Sequence, residues 1–259
     1  MPSSLSLRPG TVPRAAFAKI VLNEVRLVAR NPRALVYAFA LPVLLLVLFG
    51  NLRKFQVHKA SLGGLTLFDT YIPVLICMVI ALIALLSLPG PLATYREQGI
   101  LRRLSTTPAP PAWVLAAQVV INLCLAVLAI FIIVVVGIAA FNEHAPNNIG
   151  GFVLAIALTV AALLSLGLVL ATVAKTAQGA YVMGGAVFFP LIFLAGLWLP
   201  RPDMPTWLQH ISNYTPLGAA VEAMQHSMTG GFPPAAPLVT LAAYSVAFAF
   251  LAVRYFKWE

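Results

Sequence analysis

Between Ile149 and Leu199 the chain runs for 51 residues with a single charged side chain, Lys175. As one helix this stretch would be about 76 Å long at 1.5 Å per residue, against a hydrocarbon layer of about 30 Å. It must cross a bilayer twice. A lysine left at the bilayer centre costs about 2.5–3.5 kcal/mol on insertion scales, so Lys175, with Gly179 after it, marks the turn between two spans. The rest of the sequence follows the same pattern. It is 61% hydrophobic and 9% charged, where soluble domains carry about 25% charged residues. The apolar residues come in blocks too long for core helices, which predicts an all-α, polytopic membrane protein.

Taken in order, residues 1–33 form an N-terminal segment. Within it Arg14 to Arg33 is amphipathic, with Phe17, Ile20, Val21, Val25 and Val28 near one face and Lys19, Glu24, Arg26 and Arg30 mostly elsewhere. This pattern predicts an interfacial helix on an anionic membrane surface, ended by the turn signal Asn31-Pro32. A six-span domain occupies 34–253. The first span runs from about Ala34 to Leu52, kinked at Pro42, and the second from about Tyr71 to Leu88, where Pro89-Gly90-Pro91 is expected to break it. Trp113 to Ala140 is the third. Ile149–Leu199 supplies the fourth and fifth, and Ala236 to about Val253 the sixth. Residues 200–232 are a polar excursion with a short helix expected over Pro216–Met228, and 254–259 form a tail.

Twelve of the 16 Lys and Arg residues fall on the side of the termini, the central stretch Ala93–Pro108 and Lys175; four fall opposite. The positive-inside rule then places both termini in the cytosol. The net charge of +9 is explained by this topology and not by nucleic acid. Cys77 and Cys124 lie inside apolar runs, where cysteine behaves as a small hydrophobe. The four histidines match no metal spacing, and the N-terminus carries no signal-peptide pattern.

The chemistry that would drive transport from within is not in the pattern. Carriers coupled to protons or sodium place ionisable groups or unwound helices at the midplane, whereas Asp69, Glu143, Asp203 and Glu222 sit in outer loops or at their edges. There is no phosphate loop, G-x-x-x-x-G-K-[ST], so no cofactor is expected in this chain. The energy is expected to come from a partner. Ala93–Pro108 is where it would arrive: a short helix reads with Arg96, Glu97, Arg102 and Arg103 outward, and with Ile100, Leu101 and Leu104 on another face. Gly99 in its middle weakens it by about 1 kcal/mol against Ala, so such a helix leans on something else.

Arg96-Glu97-Gln98-Gly99-Ile100-Leu101-Arg102-Arg103-Leu104, closed by Thr106-Thr107-Pro108, resembles the coupling segment of type 2 ATP-binding-cassette exporter permeases. That segment reads approximately E-[RK]-E-x-G-T-L-[ER]-x-L before a T-P. The match holds at Arg96, Glu97, Gly99, Leu101, Leu104, Thr107 and Pro108, and departs at Tyr95 and Ile100. A second stretch is similar to the family's loop before the last span: Gly196-Leu197-Trp198-Leu199-Pro200, then Met204-Pro205, Trp207-Leu208 and Tyr214-Thr215-Pro216-Leu217. There the family's chain re-enters the outer leaflet as a helical hairpin.

The resemblance implies a permease subunit in a bacterial inner membrane, paired with a second copy or a paralogue, on two cytosolic ATPase subunits that bind ATP and Mg. Arg96, Glu97, Gly99, Leu101, Arg102, Arg103, Leu104 and Pro108 would form the ATPase-coupling set. The nearest flavour is the daunorubicin-resistance type of drug-efflux permease; exporters of lipid-linked polysaccharide share the architecture. Gln118 and Asn122 in the third span and Phe188, Phe189 and Phe193 in the fifth are candidates for lining the path of an amphiphilic cargo. Ala180 and Gly184 form a small-xxx-small pair suited to close helix packing. A carrier or channel without an ATPase, and a membrane scaffold that moves nothing, are the rival readings.

Overall fold

The computed structural model describes residues 21–22, 24–26, 32–57, 66–100, 112–141 and 145–255. Among them every regular element is helical. Helix α1 covers Pro32–Asn51. Helix α2 (Leu67–Leu82) continues through a π turn (Ile83–Ser87) into α3 (Pro89–Glu97). Then come α4 (Ala112–Phe141), α5 (Ile149–Val173), α6 (Ala177–Leu194), the short α7 (Thr206–Asn213), α8 (Pro216–Met228) and α9 (Ala235–Tyr255). Five stretches are long and apolar enough to cross a membrane: Leu67–Glu97, α4, α5, α6 and α9. Helix α1 adds 20 residues, apolar over its described part from Phe39.

Local chemistry sets several of the starts. Thr66 and Asp69 form a reciprocal capping box at α2: Asp69 N donates to Thr66 Oγ1 at 3.1 Å, and Thr66 N donates to Asp69 Oδ2 at 2.8 Å. Asn148, Thr176 and Thr215 cap α5, α6 and α8 by accepting from the amide three residues on. Each satisfies a helix-end donor that would otherwise be unpaired. The turn expected at Lys175 is present, with Lys175 exposed between α5 and α6.

The π turn corrects one expectation. Pro89-Gly90-Pro91 does not end the second span; the helix passes through it to Glu97. Proline has no N–H for the carbonyl four residues back and crowds it, and one inserted residue relieves that crowding. Leu88 N donates five residues back, to Ile83 O, at 3.1 Å. The carbonyls of Ala84 and Leu85 then face two glycines on neighbouring helices. A Cβ on Gly167 of α5 would lie 2.0 Å from Ala84 O, and one on Gly184 of α6 would lie 2.1 Å from Leu85 O. Backbone meets backbone at both points, an approach only glycine allows. Ala180, one turn before Gly184, is fully buried with Ala93 of α3, so the small pair does form a seam.

Leu67–Glu97 is the central post. Of its most apolar stretch 89% is buried inside the protein, against 28%, 22% and 17% for α4, α6 and α9, whose apolar faces point outward. Exposed apolar faces are the expected surface for a chain solvated by lipid. Helix α8 matches its predicted bounds, but it is no polar excursion. It packs against α5, α9 and α2, and Leu217, Ala219, Ala220, Val221, Ala223 and Met224 are fully buried. Its small side chains allow that approach, and hydrogen bonds pin it: Gln225 Nε2 donates to Thr70 O at 2.9 Å and Asn148 N to Ser227 O at 3.0 Å.

Candidate functional site

The long helix that forms the post stops at a backbone device. Gln98 N donates to Thr94 O and Gly99 N to Arg96 O, and Gly99 has φ +66. This left-handed residue closes α3, as glycine commonly does after a helix. Ile100 is helical again. Gly99 is therefore the corner at which α3 ends. Leu101, Arg102, Arg103, Leu104 and Pro108 lie outside the described residues.

Three consecutive side chains just before the corner tie it to three different parts of the chain. Tyr95 Oη donates to both carboxylate oxygens of Glu24, at 2.7 and 2.8 Å. Arg96 Nη1 donates to the carbonyls of Thr172 and Ala174, at 3.2 and 3.1 Å, where the C-terminus of α5 presents its last acceptors and the negative end of its dipole. Glu97 Oε2 accepts from Ala177 N at 3.3 Å, at the opposite pole of the next helix. Expected to point outward, Arg96 instead turns half-buried onto the end of α5, because unpaired helix-end carbonyls attract a guanidinium. Glu97 remains exposed.

Glu24 differs most from expectation. Hydropathy puts it off the apolar face of its segment; in the structure it is 6% exposed, while Leu22 and Val25 are 49% and 45% exposed. The phenol of Tyr95 and the amide of Gln118, whose Nε2 donates at 2.7 Å, make its burial tolerable. Burial raises its carboxyl above the ordinary glutamate range, and the hydrogen bond from Tyr95 pulls it partly back. Nothing in the periodicity signals this contact. Its one trace in the sequence is the phenol at Tyr95, at the point where the segment departs from the coupling pattern it otherwise resembles.

The path candidates divide. Gln118 and Asn122 are both 2% exposed and belong to the Glu24 cluster: Asn122 Nδ2 donates to Gln118 O at 2.8 Å, and Asn122 Oδ1 is buried with no hydrogen-bond partner among the described residues. Phe188 and Phe189 instead line an apolar pocket of about 320 Å³ with Leu45 and Phe49 of α1, Met78 of α2, and Trp198. Phe193 stands beside it, its ring 6.4 Å from that of Trp198. The structure thus separates the five residues into a polar cluster and an apolar pocket.

At the other end of the bundle, Arg201 organises the region before the last span. Its guanidinium donates to Gly218 O, to Asn213 Oδ1 and to Glu222 Oε2, the last at 3.1 Å. Gln209 Nε2 in turn donates to Arg201 O at 2.8 Å. Burial pulls this guanidinium below its usual range while Glu222 pulls it back. Sequence reasoning treats Arg201 only as a loop charge. Among the described residues no three metal-capable side chains cluster; His58 and His144 lie outside them.

Comparison with known proteins identifies the family. Residues 16–229 match the family described as ABC-2 type transporter. The probable multidrug ABC transporter permease YbhR of Escherichia coli, from strain K12 and from O157:H7, is 25% identical over 146 residues, 56% of this chain and 40% of that protein. The match thus spans less than half the length of these relatives.

Proposed function

The chain belongs to the ABC-2 type transporter family, and from that premise we propose that it is the membrane subunit of an ATP-driven exporter. In this reading it crosses a bacterial inner membrane six times with both termini in the cytosol. It pairs with a second copy or a paralogue, and two cytosolic ATPase subunits bind ATP and Mg. The observation that carries the reading is the corner at Gly99. The most buried helix of the bundle ends there, and three side chains, two of them (Arg96 and Glu97) in the coupling set, fix its last turn. A push on 100–108 reaches α5, α6 and the N-terminal segment through rigid contacts.

The cargo proposed is amphiphilic. The pocket bounded by Phe49, Phe188, Phe189 and Trp198 has few polar groups, and its volume of about 320 Å³ is at the lower end of the roughly 300–1,000 Å³ of small-molecule sites. The relative's description as a multidrug permease favours drug-like compounds over lipid-linked glycans. The test is purification of the tagged chain from its native membrane. A phosphate-loop ATPase should accompany the wild type and be lost from Arg102→Glu/Arg103→Glu. Purification of an intact permease with no ATPase would refute the reading.

A further inference from the structure

Glu24 is the one acidic residue in Arg14–Arg33, and it sits where an acid is costly. A helix bound only to a membrane surface keeps its carboxylate in water. Here the side chain is almost wholly enclosed, and its partners come from 71 and 94 residues away in sequence. They stand on the last turn of α3, within the coupling stretch Ala93–Pro108, and the first turns of α4, which follows that stretch. The cluster therefore bridges both ends of that stretch and clips the N-terminal segment across them. Gln118 holds Asn122 in turn through its backbone carbonyl.

No carboxylate is needed for packing alone. Leu22 and Val25 face outward, and the contact that Glu24 makes with the bundle is polar and directional. A single phenolic proton shared by two oxygens at 2.7 and 2.8 Å fixes Tyr95 relative to residue 24. Arg96 and Glu97, the next two residues, are fixed to α5 and α6. The turn before the Gly99 corner is thus held on several sides, and among the described residues Glu24 supplies its hold on the N-terminal segment.

We propose that Glu24, bound by Tyr95 and Gln118, is a positioning residue for energy coupling: it ties the N-terminal segment to both flanks of the coupling stretch so that they move as one body when the ATPase pushes. This rests on the exporter reading above. Without the tie the ATPase still docks, since the docking residues are untouched, but its stroke is lost in slack between α3 and the N-terminal segment.

The test is ATP turnover by the full permease–ATPase complex, purified through a tag on this chain and returned to liposomes of Escherichia coli lipid. Glu24→Ala and Tyr95→Phe should keep the ATPase at its wild-type ratio while turnover falls at least fivefold. Glu24→Gln, whose amide oxygen still accepts from Tyr95 and Gln118, should keep half or more of the turnover, a rescue that general loss of packing does not predict. Undiminished turnover in both Glu24→Ala and Tyr95→Phe overturns the proposal. So does loss of the ATPase from them, which would make the cluster part of the docking site. If the wild type brings no ATPase, the exporter reading fails, and the tie is judged on the permease alone. Trypsin cleavage after the exposed Arg26 should then be several-fold faster in Glu24→Ala than in wild type or Glu24→Gln, and equal rates in all three overturn it.

Discussion

Gly184 and Gly185 are neighbours on α6 that should respond in opposite directions to the same substitution. A Cβ on Gly184 would sit 2.1 Å from the backbone oxygen of Leu85, and Cβ atoms essentially never come within 3.0 Å of another heavy atom, so the helices must part by about 0.9 Å. Leu85 cannot yield easily. Its carbonyl is fixed by the π turn that Pro89 imposes, and its side chain is fully buried. Parting α6 from the turn also strips contact from Ala180 and Ala93 one turn away. Overpacking of this kind costs about 1–3 kcal/mol. At Gly185 nothing lies within 4 Å, and Ala there gains up to about 1 kcal/mol of helix propensity.

The two variants should therefore differ by about 1–4 kcal/mol, which at about 2–4 °C per kcal/mol for a chain of this size means at least about 2 °C in melting temperature. The buried Cys77 provides the readout. In a Cys124→Ser background, a thiol-reactive dye labels the purified permease only as α2 becomes accessible, because Cys77 is buried and Cys124 exposed. Gly184→Ala should melt well below Gly185→Ala. Melting points within about 1 °C of each other would show that the close approach at the π turn does not exist in the folded permease.

Three further outcomes are expected. Arg201→Ala leaves Glu222 without its partner at a half-buried site and should cost about 3 kcal/mol in the same melting assay; Arg201→Lys should recover little of it, because a single ammonium cannot serve Gly218, Asn213 and Glu222 together. Gly99→Ala has open space around it but needs a left-handed backbone, so it should cost about 1–2 kcal/mol through strain alone, with Gly99→Asn milder; equal melting points would refute the corner. Glu24 titrates above the usual glutamate value of 4.5, so the folded state favours the protonated acid. The stability it adds is complete below that value and is lost as pH rises through the raised one. Tyr95 and Gln118 hold it and Arg26 on its own segment is exposed, so hydrogen exchange at residues 21–26, corrected for intrinsic rate, should quicken as pH rises above the usual glutamate value of 4.5. Glu24→Gln should be flat.

The sequence was most informative where one segment decides its own fate. Lys175 cannot stay in hydrocarbon, so the turn it marks lies where the charge predicts. Helix α8 runs over Pro216–Met228, the bounds expected for it. Misjudged were the groups whose role depends on a partner far along the chain. Hydropathy assigned Glu24 to the polar face because no periodicity knows that Tyr95 and Gln118 wait 71 and 94 residues on. It read Arg201 as a loop charge and Arg96 as outward for the same reason.

The all-helical class and most of the helix boundaries came from the sequence by itself, because partition into lipid is settled block by block at about 20 residues each. Only the tertiary structure decided that the helix runs through Pro89 and Pro91, that α8 is core, and which end of which helix each charge serves. Those outcomes depend on how closely backbones approach and which buried polar groups find partners. Glycines at 167 and 184 permit the first, and the fold as a whole supplies the second.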